Sequence, residues 1–91
     1  MATTSTDFDA SKPYRLSASV SLRDESFGAL AYHHVNRRLV FLKSRELVEL
    51  VRRLDKFSSV RDAVTASVAP SECARYETAL ASLHRSGLLD G

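Results

Sequence analysis

The side chains that most readily do chemistry near neutral pH are few in this sequence: three histidines, one cysteine and eleven carboxylates. His33 and His34 are adjacent. Neighbouring residues on a strand point to opposite faces, so this pair does not ligate one ion without distortion. His84 lies far off in the chain, and no Cys/His spacing of the zinc type occurs. Cys73 falls on the apolar stripe of an expected helix, the setting of a buried inert thiol rather than a nucleophile. Gly28, Gly87 and Gly91 are isolated and form no phosphate-cradling loop. The carboxylates of Asp24, Glu25, Glu46, Glu49, Asp55, Asp62, Glu72 and Glu77 fall on expected turns or helix surfaces, and no two are marked as an acid–base pair. The reading is a chain without catalytic residues, metal site or cofactor.

Charge offers more. The segment 37–56 carries seven positive residues (Arg37, Arg38, Lys43, Arg45, Arg52, Arg53, Lys56) against three negative ones (Glu46, Glu49, Asp55). It is therefore +4, and the rest of the chain is −2, within a total of +2. A local basic patch fits an acidic partner: nucleic acid, an acidic peptide or an acidic protein face. The same charges also suit a solvated helix face and the protection of a strand edge.

These residues need elements to hold them. Leu16, Ala18, Val20 and Leu22 alternate with Ser17, Ser19, Ser21 and Arg23, which predicts a strand wet on one face. Asp24-Glu25-Ser26 makes a turn, and a second strand runs over 29–34. Asn36 is the residue expected to take positive φ in the next hairpin. A third strand covers 38–43. The period then changes: Leu47, Leu50, Val51 and Leu54 mark an amphipathic helix behind the N-cap Ser44. Ser59 caps a second helix with the stripe Val60, Ala63, Val64 and Val68, and Asp62 takes an imperfect capping-box role. Pro70 opens a third helix with Cys73, Tyr76, Ala79, Leu80 and Leu83 on its stripe, ended by Gly87 as a left-handed C-cap. The fold class is α+β: a winged-helix-like, three-stranded antiparallel sheet followed by three helices. Residues 1–13 read as a flexible tail, with Phe8, Pro13 and Tyr14 pinning its junction, and 14–91 as the single domain.

At 91 residues there is room for one core. A chain of this size buries roughly 60–65% of its unfolded surface. One cysteine excludes an intrachain disulfide. No apolar run reaches the ~18 residues of a membrane span, and no secretory signal is visible, so the expected address is the cytoplasm.

Winged-helix content commonly reads DNA, but the third helix, with Arg75 and Arg85 against Glu72 and Glu77, is neutral, and no aromatic platform for bases stands on the polar side. Peptide binding fits better. In a meander the third strand is an edge whose free N–H and C=O groups invite another strand. Arg37, Arg38 and Lys43 flank it, and either Leu39 and Phe41 or Val40 and Leu42 face the helices. Tyr76, Ala79, Leu80 and Leu83 are either ordinary core or the wall of a groove for apolar guest side chains. A scaffold that binds an enzyme but not the isolated peptide is a third possibility, and the outer face of the first helix (Arg45, Glu49, Arg52, Arg53) is a docking candidate on charge alone.

The block Phe27-Gly28-Ala29-Leu30-Ala31-Tyr32-His33-His34, followed by Asn36-Arg37-Arg38-Leu39-Val40-Phe41-Leu42-Lys43-Ser44, closely resembles the mycofactocin-system peptide chaperones. Leu47-Val48-Glu49-Leu50-Val51-Arg52 and the closing Ser86-Gly87-Leu88-Leu89 resemble them too. The likeness runs from about residue 14 to residue 89. That family sits among the PqqD-like peptide-recognition domains of pathways that modify ribosomally made peptides. The resemblance implies a non-catalytic peptide chaperone without cofactor. It would bind the leader of a precursor peptide and deliver it to a radical S-adenosylmethionine maturase, with no nucleic-acid or membrane partner. The implied contact strand is Arg38, Leu39, Val40, Phe41 and Leu42, and the implied helix face is Tyr76, Ala79, Leu80 and Leu83. Arg37 and Lys43 would hold acidic leader side chains. Val35 departs from the pattern by standing in the turn where relatives are expected to carry glycine.

Overall fold

A computed structural model describes residues 8–91. Three antiparallel strands, β2 (Val20–Glu25), β3 (Gly28–His33) and β4 (Leu39–Leu42), lie in that spatial order. After them come α1 (Arg45–Arg53), a 3₁₀ turn (Leu54–Lys56), α2 (Val60–Ser67), a second 3₁₀ turn (Pro70–Glu72) and α3 (Cys73–Arg85). A separate two-stranded ribbon pairs β1 (Arg15–Leu16) with β5 (Leu89–Asp90). The architecture is mixed α+β, with antiparallel sheets and three α-helices.

Alternation along the strands sorts the three-stranded sheet into two faces. Ala29, Ala31, His33 and Leu42 are buried toward the helices, with Val20, Leu22 and Val40 half-buried beside them. The register Leu22↔Ala31↔Val40 and Ala29↔Leu42 aligns these residues in rows. The helices answer with Val48, Leu50 and Val51 from α1, Val60, Ala63 and Val64 from α2, and Tyr76, Leu80 and Leu83 from α3. Leu42, Leu50, Leu54, Leu80 and Leu88 are fully buried. Each such side chain contributes about 1.5–3 kcal/mol to folding.

The helix ends are satisfied locally. Ser44 Oγ accepts the Leu47 N–H of α1, and Ser59 Oγ accepts the Asp62 N–H of α2, as the caps require. The Asp62 carboxylate accepts from the Ser58 hydroxyl, so the capping box is not closed. The N-terminal arm supplies two further acceptors for α2: Lys12 C=O takes the Val60 N–H and Ala10 C=O takes the Arg61 N–H. Gly87, at φ 85°, ends α3, and the Leu88 N–H returns to Leu83 C=O.

Three expectations change. The strand expected over 16–22 is broken. Ser17 Oγ accepts the Ser19 N–H and the Val20 N–H reaches Ser17 C=O, so the chain turns there. Leu16 then pairs with Leu89 of a C-terminal strand that the periodicity did not mark, and Ala18 is exposed. Positive φ falls on Arg37 (66°), not Asn36. The hairpin loop closes by the Arg37 N–H on His33 C=O, which puts the left-handed residue last in the loop. Asn36 instead accepts the Arg38 N–H through Oδ1. Finally, the expected tail of residues 1–13 is packed over its later part. Ala10 is buried, and Phe8 stacks on Tyr14 with ring centroids 4.7 Å apart. Residues 1–7 lie outside the described part.

Two substitutions test this account. Gly28 has φ +148°, and a Cβ there would collide with the Leu42 carbonyl oxygen and come within 2.9 Å of Ser44 N. Gly28→Ala should therefore cost about 3 kcal/mol and lower the melting temperature by roughly 10 °C or more. A shift of only a degree or two in a thermal melt would refute the close approach. Arg37→Gly relieves the left-handed strain at the loop end and should raise the melting temperature by a few degrees, corresponding to roughly 0.5–1 kcal/mol. A lower melting temperature would show that the Arg37 side chain outweighs the strain.

Candidate functional site

Among the described residues β4 is one edge of the three-stranded sheet, and β2 is the other. The His33 N–H donates to Arg38 C=O across the hairpin. In an antiparallel ladder hydrogen-bonded pairs alternate. With the pairs Ala31↔Val40 and Ala29↔Leu42, the backbone polar groups of Val40 and Leu42 turn toward β3. Those of Leu39 and Phe41 turn to the open edge. The side chains divide the other way: Val40 and Leu42 face the helices, whereas Leu39 and Phe41 stand out, each 54% exposed. The question of which pair faces inward is thereby settled.

α3 approaches the chain just beyond each end of β4. Tyr76 Oη is 3.4 Å from Ser44 Oγ, just beyond the end of β4. At the other end Gly87 fits against the hairpin, where a Cβ would stand 3.2 Å from Asn36 Nδ2 and 3.9 Å from the His33 ring. Helix and strand thus run in opposite directions, with the β3–β4 hairpin held at one end and the α1 cap at the other. Of the four helix residues implicated, Ala79 is half-buried, while Tyr76, Leu80 and Leu83 are 8%, 0% and 6% exposed. These three belong to the hydrophobic core. Arg75 lies over the Tyr76 ring at 5.6 Å from its centroid, covering its outer side.

The cations of the basic segment divide. Arg52 pairs with Asp24 at 2.8 Å, and Arg53 lies over Phe57. Arg37, Arg38 and Lys43 are exposed and have no carboxylate partner among the described residues. Arg45, Arg53 and Lys56 also have no carboxylate partner among the described residues, and positive charge stands at both ends of β4. Next to it, the Glu46 carboxyl titrates below its ordinary range. Its own backbone N–H at the start of α1 is the main cause, followed by the Ser44 hydroxyl.

The histidines have structural work. His33 is buried, and its Nδ1 accepts the N–H groups of Val35 and Asn36, both at 3.2 Å, which ties down the hairpin loop. His34 is exposed and its Nε2 meets Ser21 Oγ at 2.6 Å. His84 is wedged against Phe8 and Tyr14. Cys73 is half-buried, and its thiol approaches Ala69 C=O at 3.6 Å. No group of three His, Cys, Asp or Glu residues able to hold a metal occurs among the described residues. Reading the sequence did not single out the Ser44–Tyr76 contact or the exposure of Phe27. The first joins residues 32 positions apart and leaves no trace in local periodicity.

The family model described as the Peptide chaperone MftB family matches residues 13–90. The chain is 45% identical over 83 residues to the Peptide chaperone MftB of Mycobacterium ulcerans (strain Agy99), covering 90% of this chain and 76% of that protein. To the Peptide chaperone MftB of Mycolicibacterium smegmatis (strain ATCC 700084 / mc(2)155) it is 42% identical over 83 residues, covering 90% and 81%. Among solved structures it is similar to the lasso peptide synthetase B1 complexed with the leader peptide, with a TM-score of 0.64 and 20% identity over 86% of this chain and 98% of that one. At that identity the structural likeness concerns the fold alone. The family match, which spans nearly all the described residues, and the identity to these two relatives lead to one conclusion: the chain belongs to the peptide chaperone MftB family.

Proposed function

We propose that this chain is a non-catalytic chaperone that binds the leader of a ribosomally made precursor peptide as an added strand on β4. It then delivers that peptide to a radical S-adenosylmethionine maturase in mycofactocin biosynthesis. The observation that carries this reading is the open edge of β4, with the backbone groups of Leu39 and Phe41 unpaired by the sheet and cations at both ends. Membership of a peptide chaperone family supports it, and so does a fold shared with a synthetase whose structure holds a leader peptide.

The chemistry is recognition only. Guest N–H and C=O groups extend the ladder at Leu39 and Phe41, which gives affinity with little dependence on sequence. Guest side chains on the helical side lie beside Val40 and Ala79, over the core residues Tyr76, Leu80 and Leu83. Acidic guest residues are held by Arg37, Arg38 and Lys43. Ordering a flexible leader costs several kcal/mol, so affinity should fall between roughly micromolar and nanomolar. Holding the leader beside the maturase raises the effective concentration of the segment to be modified, which is how a chaperone without catalytic groups accelerates the reaction.

Phe41→Pro removes an edge N–H and leaves the β3 ladder intact, so it should weaken leader binding by about tenfold or more with the fold preserved. Val40→Pro removes a ladder N–H and should lower the melting temperature instead. Fluorescence anisotropy with labelled leader peptide, beside a thermal melt of each variant, separates the two. Unchanged leader affinity in folded Phe41→Pro would dismiss strand addition at this edge. Replacing Arg37 and Arg38 by Glu should slow association and flatten its dependence on salt, measured by stopped-flow at several ionic strengths. A random DNA duplex at ~150 mM salt is the control. Saturable binding to the duplex and none to the peptide would mean that the patch reads phosphates.

A further inference from the structure

On β3 and β4 the outer face of the sheet, turned away from the helices, is apolar where it should be wet, while β2 brings Ser21 and the Arg23–Glu25 pair to it. Phe27 and Phe41 stack there with ring centroids 5.7 Å apart, and they are 40% and 54% exposed. The register Leu30↔Phe41 and Tyr32↔Leu39 sets two half-buried side chains of β3 beside two exposed ones of β4. The patch therefore crosses β3 and β4 and reaches the β2–β3 turn. An antiparallel sheet with one solvated face normally carries polar residues on it. Contiguous apolar surface of this kind marks an interaction site.

We infer that this outer face docks a second protein, one that presents an apolar centre bordered by carboxylates. On the reading that the chain delivers a peptide to a processing enzyme, that second protein is the enzyme. Three observations select this occupant. The border of the patch holds Arg37 and Lys43, both without an ion pair among the described residues, so a partner gains by bringing acids to it. A guest strand on β4 reaches only the Leu39–Phe41 column and leaves Phe27, Leu30 and Tyr32 uncovered. The face is continuous with the proposed peptide edge. A protein seated here touches the outward side chains of the guest and those of Leu39 and Phe41 together, which puts the peptide at the partner's surface rather than behind the chaperone.

Phe27→Ser and Tyr32→Thr, made singly, alter this face at residues outside β4; they remove the stack on Phe41 and the neighbour of Leu39 but leave the backbone groups of the edge in place. The purified radical S-adenosylmethionine maturase is the probe, immobilised for biolayer interferometry at physiological salt. Labelled leader peptide is titrated in parallel by anisotropy. Each variant should lose about tenfold or more in affinity for the maturase, as expected of buried aromatic anchors, while leader affinity and melting temperature stay near wild type. Maturase affinity unchanged in both variants overturns the inference. A wild-type chain that binds leader but not maturase also overturns it, and the peptide-binding reading survives that result. If leader affinity falls in step with maturase affinity in a folded variant, the face belongs to the peptide and the inference is lost. A concentration-dependent dimer in sedimentation that Phe27→Ser abolishes would assign the face to a second copy.

Discussion

Everything in this fold depends on how close α1 can come to the sheet, and that distance is set by the absence of large side chains. Ala29 and Ala31 present only a methyl group on the inner face of β3, and both are completely buried. Larger residues there would lift the helical layer off the sheet. Because they are small, Val48, Leu50 and Val51 can seat against β3, and Leu42 fills the remaining space beside them. The fit at Gly28 is the tightest point, where backbone meets backbone. It fixes the end of β4, which fixes Ser44, which caps α1 and meets Tyr76 of α3. The candidate edge is thus held in place from behind by packing that has little slack.

An exposed edge strand is a hazard as well as an opportunity. β4 is short, four residues, and cations stand at its ends, both common defences against unwanted pairing. The same two features favour a chosen guest. Short length limits the guest to a brief ladder, and positive charge favours an acidic strand over a neutral aggregation-prone one. On the proposed function, defence and recognition fall to the same residues, Arg37, Arg38 and Lys43. On α1, Arg52 shows the contrast by pairing with Asp24, whereas Arg53 lies over the Phe57 ring and keeps its charge.

Much of this was legible in the chain. The strands β3 and β4, the three helices, the caps Ser44 and Ser59 and the C-cap Gly87 each carry a local signature, and all are found. What failed was whatever depends on distant partners. The alternation from Leu16 to Leu22 is a good strand pattern, yet Leu16 belongs to a ribbon with Leu89, because a pairing across the whole chain outweighs a local period. Asn36 has the right side chain for positive φ, but the closure of the loop on His33 gave that conformation to Arg37. Arm residues such as Ala10 look like tail, since their role is carried by backbone carbonyls that any residue could supply. For the edge, alternation divided Leu39 and Phe41 from Val40 and Leu42, but only the register decided which pair faces the helices.

The ribbon of β1 and β5 has a topological consequence. Arg15 pairs with Asp90, and the ring of Tyr14 touches both Phe8 and the position of Gly91. The two ends of the described chain therefore meet at one aromatic side chain. Joining residue 91 back to residue 8 would need only a short linker, and a new opening could then be cut at an exposed turn such as that around Ser26. Such a circularly permuted chain would keep every strand pairing while changing where a fused protein is tethered. In the natural order, residues 8 and 91 lie at the same corner of the molecule.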